Sequence, residues 1–130
     1  MNGRVRKTTR RFVICEPWEV VVVPFPFTDT AGTKRRPALV LSETDFNRSG
    51  ATVLAMITTS THVPWSGDVE IRDLGAAGLK ASCTVRFKIF TLDNRLILRR
   101  IGCLSDADLG RVAAEMRWCF GASLLPKETE

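Results

Sequence analysis

Four consecutive valines, Val20-Val21-Val22-Val23, follow Glu19 and run into Pro24-Phe25-Pro26-Phe27. β-Branched side chains favour extended backbone, and an unbroken run of them without polar alternation suits a strand buried on both faces. Such a strand lies inside a sheet. The two prolines end it or confine its last part to an edge, because neither can donate to a hydrogen-bond ladder.

The segments that follow read as further short strands. Thr28 to Thr33 is a loop, and Pro37 to Ser42 is a second strand whose first residue needs no N–H. Asn47-Arg48-Ser49-Gly50 is a turn, and Thr52 to Ile57 is a third strand that ends in the hydroxyl run Thr58-Thr59-Ser60-Thr61. Val69-Glu70-Ile71 alternates as a short half-exposed strand, and Gly75 to Gly78 is a flexible connection. In Thr84 to Ile89, alternation sets Val85, Phe87 and Ile89 on one face and Arg86 and Lys88 on the other, which reads as a solvated, basic sheet face. Asp93-Asn94 turns the chain into Leu96-Ile97-Leu98.

One helix closes the chain. Ser105 is its expected N-cap, with Asp108 in the capping-box position usually held by Glu or Gln. Leu109, Val112, Ala113, Met116 and Phe120 form one apolar stripe for packing on a sheet, and Gly121 is the expected C-cap. Several short, mostly antiparallel strands with one C-terminal helix define an α+β small barrel. At 130 residues the chain reads as one domain, spanning residues 15–125 after a disordered basic tail, 1–14.

Charge narrows the partners. Residues 1–36 carry eight Lys/Arg against three Asp/Glu, whereas residues 37–130 carry eleven of each, so the whole net charge of +5 lies in the tail and in Lys34-Arg35-Arg36. A concentrated positive charge suits a polyanion, nucleic acid first and an acidic protein second. No apolar run approaches the ~20 residues of a membrane span. Phe12 to Cys15 is too short for the apolar region of a secretory signal, so the expected location is cytoplasmic. Cys15, Cys83, Cys103 and Cys119 form no CxxC pair and read as reduced, buried thiols. With His62 the only histidine, neither a zinc site nor a two-histidine ribonuclease is expected, and His62 itself reads as a surface residue.

The chemistry-bearing residues are an arginine at the mouth of one strand and a threonine at the end of the next. Arg36 is pushed towards extended backbone by Pro37, so its guanidinium is held ready for a phosphate; the alternative is an idle, solvated basic turn. If the two strands are neighbours, Arg36 and Thr58 face one groove, the arginine clamping a phosphate and the hydroxyl bonding a developing oxyanion. RNA brings its own nucleophile, the 2′-OH, so such a site needs no metal or other cofactor.

Three runs together carry a family resemblance: Val20 to Thr28, Lys34 to Ser42, and Ile57-Thr58-Thr59-Ser60, followed by Thr91-Leu92-Asp93, Arg95-Leu96 and Gly102-Cys103-Leu104. The sequence resembles the MazF/PemK toxins of type II toxin–antitoxin systems over roughly residues 18–120. The resemblance implies a small SH3-like, mostly antiparallel barrel with a C-terminal helix, shared with the CcdB toxins. It implies a metal-independent, sequence-selective endoribonuclease of single-stranded RNA with Arg36 and Thr58 catalytic, and with Lys34, Arg35, Thr59 and Ser60 as RNA contacts. It also implies a homodimer and an acidic antitoxin partner. A toxin of the same fold that binds a protein target such as gyrase is the alternative. The chain departs from the family pattern at Trp18, where a glycine is usual before the first strand. It lacks the acid shortly before the arginine, Asp29 being the nearest, and has Phe90 where an arginine is common.

Overall fold

A computed structural model describes residues 13–25, 34–60 and 63–121. The basic tail up to residue 12, the loop before Lys34, and His62 lie outside the described residues. Six strands form one sheet: β1 (Glu19–Phe25), β2 (Lys34–Val40), β3 (Ala51–Thr59), β4 (Val69–Glu70), β5 (Cys83–Asp93) and β6 (Arg99–Cys103), in the order β4-β5-β3-β2-β1-β6. Every pairing is antiparallel. Two four-residue helices, α1 (Thr44–Asn47) and α2 (Leu74–Ala77), interrupt the strands, and α3 (Asp106–Phe120) closes the chain.

The valine run behaves as a buried strand should. Val20 and Leu39 belong to one apolar cluster with Ile57, Val85 and Val112 of α3; Val21 and Val23 belong to a second, with Ala38, Val40, Leu54 and Leu92. The two clusters lie on opposite faces of the sheet, as the period of two requires. Pro24 and Phe25 remain in β1, but β6 pairs only with Glu19 to Val22, so the proline stands where one edge of β1 has no partner strand among the described residues.

Several expectations shift. β2 begins at Lys34 rather than Pro37, because Lys34, Arg35 and Arg36 pair with Phe25, Pro24 and Val23. β3 takes in Thr58 and Thr59, which pair with Thr84 and Cys83, so only the end of the hydroxyl run turns. Gly75 to Gly78 is not a flexible connection: Asp73 caps α2 through Ala76 N, and Gly78 ends it at φ +75°. A side chain at Gly78 would strike the Ile101 carbonyl, so α2 is seated on β6 and needs glycine there. Leu96 belongs to a 3₁₀ turn, Asn94–Leu96, and β6 starts only at Arg99.

Polar locks hold the ends of the sheet. Asn47 donates to Cys15 O at 2.8 Å and to Ser42 O at 3.1 Å; Asn94 donates to Asn47 O at 2.6 Å and accepts from Thr52 Oγ1 at 2.7 Å. Ser105 caps α3 by accepting from Asp108 N. The Asp108 carboxylate does not complete a capping box; it accepts the backbone N–H groups of Arg72 and Asp73 and the Arg111 guanidinium, tying α3 to the segment after β4. Burial works against its charge, but these donors hold its carboxyl below the usual carboxylate range. Trp18, where the resemblance leads to the expectation of a glycine, has φ +74°, a backbone region that favours glycine. Its strain is offset by packing against the first cluster and by backbone bonds to Val40 O and from Leu104 N.

All four cysteines are free, but only Cys15 and Cys83 are buried; Cys103 and Cys119 are exposed. Along β5, Phe87 and Lys88 have no counterparts on β3, whose Ala55 pairs with Ile89 and whose Met56 pairs with Arg86.

Candidate active site

β2 and β3 are paired at Val40–Leu54, Leu39–Ala55 and Ala38–Met56, and there the ladder stops. Pro37, with no N–H to give, is the next residue. Beyond it β2 stays bound to β1 and β3 stays bound to β5, so the sheet divides between its second and third strands. Arg36 and Thr58 each lie two residues beyond the last pair, Ala38–Met56, on the face that bears Ala38, Met56 and Val40.

Arg36 is half-buried, with its guanidinium carbon 5.9 Å from the centroid of the Phe25 ring. Phe25 meets Phe90 edge-on at 5.6 Å, which gives the arginine an aromatic floor. Its Nε is buried yet finds no hydrogen-bond partner among the described residues. Buried donors are nearly always paired, so this atom is an exception. Neither Arg36, Arg35 nor Lys34 enters an ion pair among the described residues.

Thr58 is 7 % exposed and stands across from Thr84, whose hydroxyl is 3.3 Å from Ser60 Oγ. Lys34, Arg36, Thr58 and Ser60 thus share one face. Arg35 and Thr59, the other expected RNA contacts, fall on the opposite face by strand alternation. Arg35 and Arg36 both line a cavity of about 330 Å³, with Pro37, Lys80, Arg99 and Ile101. Strand alternation therefore puts four of the six sequence-predicted residues on one face and two on the other, while Arg35 and Arg36 share the lining of one cavity.

Arg86 corrects another expectation. It is not on a solvated face but 8 % exposed, on the groove side opposite Met56, where Nε and Nη2 donate to Asp68 at 3.2 and 3.0 Å. Burial acts to raise the Asp68 pKa, but the bonds from Arg86 and from Trp65 N–H outweigh it and hold the carboxyl below its usual range. Trp65, over this arginine, was also missed by the sequence reading. The available signal was an aromatic residue in the polar stretch Pro64-Trp65-Ser66-Gly67-Asp68, outside any apolar period. Among the described residues no group of three or more His, Cys, Asp or Glu side chains is placed to hold a metal. No helix among them is long and apolar enough to cross a membrane.

An antiparallel six-stranded sheet, one C-terminal helix, and a cation on one strand and a hydroxyl on the next where the sheet divides put the chain in a small class of α+β proteins. A family model described as the PemK-like, MazF-like toxin of type II toxin–antitoxin systems matches residues 16–120. The chain belongs to that family. Among solved structures it is similar to the MazE–MazF complex of Deinococcus radiodurans, with a TM-score of 0.65 and 22% identity over 84% of this chain and 98% of that one. It is similar to an endoribonuclease bound to its cognate antitoxin from a mycobacterial species, at TM-score 0.64 and 18% identity over 88% and 98% of the two chains. The Mycobacterium tuberculosis toxin MazF-mt6 follows, at 0.61 and 20% over 78% and 95%. At these identities the likeness is one of fold. A comparison with curated proteins finds no match.

Proposed function

We propose that this toxin is a sequence-selective endoribonuclease that cleaves single-stranded RNA through its own 2′-OH, without a metal. The observation that carries the reading is the placement of Arg36, its buried Nε unpartnered among the described residues, and Thr58 on one face where the β2–β3 ladder ends. In the cleavage step the 2′-oxygen attacks the adjacent phosphorus, the P–O5′ bond breaks, and the products carry a 2′,3′-cyclic phosphate and a 5′-OH. The 2′-OH loses a proton and the leaving O5′ gains one.

Arg36 clamps the non-bridging oxygens and neutralises the charge that gathers on them. A guanidinium carries donors and no acceptor, so its part in proton transfer is donation. The Thr58 hydroxyl bonds the same developing oxyanion. Lys34 and Ser60 guide the strand on the same face, and Arg35 and Thr59 meet RNA only where it wraps past the sheet. The family and the cationic groove support an acidic antitoxin as the neutralising partner, and the reading includes a homodimer and a cytoplasmic setting.

The test is incubation with a long RNA in EDTA, mapping product 5′ ends, beside Arg36→Ala and Thr58→Ala. Discrete cuts lost in both folded variants are expected. Toxicity in cells whose RNA stays intact would overturn the reading in favour of a toxin that binds a protein target such as gyrase.

A further inference from the structure

Asp68 organises a cluster at the groove that phosphate clamping leaves unused. Its Oδ2 accepts both the Trp65 backbone N–H at 2.8 Å and Arg86 Nη2 at 3.0 Å, while its Oδ1 accepts Arg86 Nε at 3.2 Å. Arg86 Nη2 also donates to Val63 O at 2.8 Å. The Arg86 guanidinium then lies 4.8 Å from the centroid of the Trp65 ring, and Lys88 Nζ lies 6.0 Å from it. The side chains of the ion pair are 10% and 14% exposed, yet Trp65 itself is 47 % exposed.

This arrangement is costly for a surface residue. Trp65 belongs to neither apolar cluster, so core packing does not explain it. Its backbone is nevertheless fixed and its ring is stacked on a buried cation. We propose that Trp65 is a stacking platform for an unpaired RNA base beside the scissile phosphate, a specificity-determining contact that rests on the ribonuclease reading.

Placement supports this. Arg86 pairs with Met56 and Thr84 with Thr58, so Arg86 is the diagonal neighbour of Thr58, at ~7–8 Å between backbones. Arg36 lies to one side of Thr58 on β2, and the Arg86–Trp65 stack lies to the other on β5. A strand of RNA crossing β2, β3 and β5 on this face meets a phosphate clamp and then an aromatic face. Charge agrees with the assignment. Asp68 neutralises Arg86, so the platform offers a base a ring rather than offering a phosphate a cation, and Lys88 beside it remains for the backbone. A duplex keeps its bases stacked on one another, so a platform of this kind selects single strands.

The experiment uses short single-stranded 2′-O-methyl RNA, which lacks the attacking hydroxyl, with its bases removed one at a time. Binding to the full chain is read by anisotropy, and cleavage of the matching unmodified RNA is read in parallel. Wild type is expected to lose roughly 5- to 100-fold in affinity when one particular base is absent. Trp65→Ala should lose the same factor on the intact RNA and nothing more on that abasic one, and Trp65→Phe should restore most of it. Trp65→Ala binding every RNA as wild type does, or penalties that simply multiply, would overturn the platform. Cleavage without this coupling removes the platform and leaves the nuclease; coupling without cleavage removes the nuclease and leaves a base-binding site.

Discussion

Arg36 leans on Phe25, its guanidinium carbon 5.9 Å from the ring centroid, while its Nε is buried without a partner among the described residues. An unpaired buried donor costs stability, a cost that a hydrogen bond to a phosphate oxygen would offset. Arg36→Ala is therefore expected to leave stability unchanged or raise it by about 1 kcal/mol, while RNA cleavage falls at least ~100-fold. Thermal unfolding and cleavage rates measured on the same sample check this. A fall in both would make Arg36 a structural residue.

Among the described residues three carboxylates are held below the ordinary range. Asp93, lowered to about 2 by its bonds with Arg95, has an exposed side chain and is screened by solvent. The acid limb of stability should therefore be set by the two that are more enclosed. Asp68 and Asp108 both have pKa values held below the ordinary 3.8 by their donors, despite burial that works the other way. A folded-state pKa below the unfolded one gives stability that is present above the unfolded value and is lost as pH falls through the folded one. The unfolding temperature is expected to be flat near neutrality and to drop below about pH 4. Asp108→Ala, which orphans two backbone N–H groups and Arg111, should cost about 3 kcal/mol at neutral pH and flatten part of that drop.

Thiol chemistry should separate the cysteines. Burial, with Glu19 nearby, pushes the Cys15 thiol up to about 11, and burial also raises Cys83. Cys119 and Cys103 are exposed, although partial burial and the neighbouring acids Glu19, Asp106 and Glu16 raise the latter. At pH 8 a soluble thiol reagent should label Cys119 first, Cys103 more slowly, and Cys15 and Cys83 only on unfolding, as peptide mapping would show. Above pH 9 the unfolded chain loses its Cys15 proton before the folded one does, so stability should fall with rising pH, and less so in Cys15→Ala.

Gly102 offers the sharpest packing test. A Cβ there would lie 2.3 Å from the Ala77 carbonyl carbon and 2.5 Å from the Ala76 and Ala77 oxygens. Gly102→Ala should cost about 3 kcal/mol by forcing α2 off β6, whereas Gly110→Ala, which meets nothing within 4 Å, should be neutral or stabilising. Denaturant melts of the two variants side by side decide it.

Local pattern explains what was legible in the sequence. The valine run, the alternation around Val85 and the stripe from Leu109 to Met116 each carry their period within one segment. Pro37 and the hydroxyl run mark strand ends, which is why Arg36 and Thr58 stood out. α1 and α2 are four residues each, too short to show any period, and α2 exists because Asp73 caps it and Gly78 fits under Ile101. The burial of Arg86 could not be read locally, because its partner Asp68 comes from a loop eighteen positions earlier. A charged residue on an alternating strand looks solvated until its counter-ion is found.

The two unmatched residues of β5, Phe87 and Lys88, constrain how this chain can change its length. A pair keeps the alternation in phase, so Arg86 and Phe90 face the groove on either side of the irregularity. Losing one of the two would leave a one-residue bulge of the kind β6 makes at Ile101, whereas losing both would leave a regular ladder with every side chain on its present face. A change of two residues at that point therefore spares both faces of the strand without leaving a bulge.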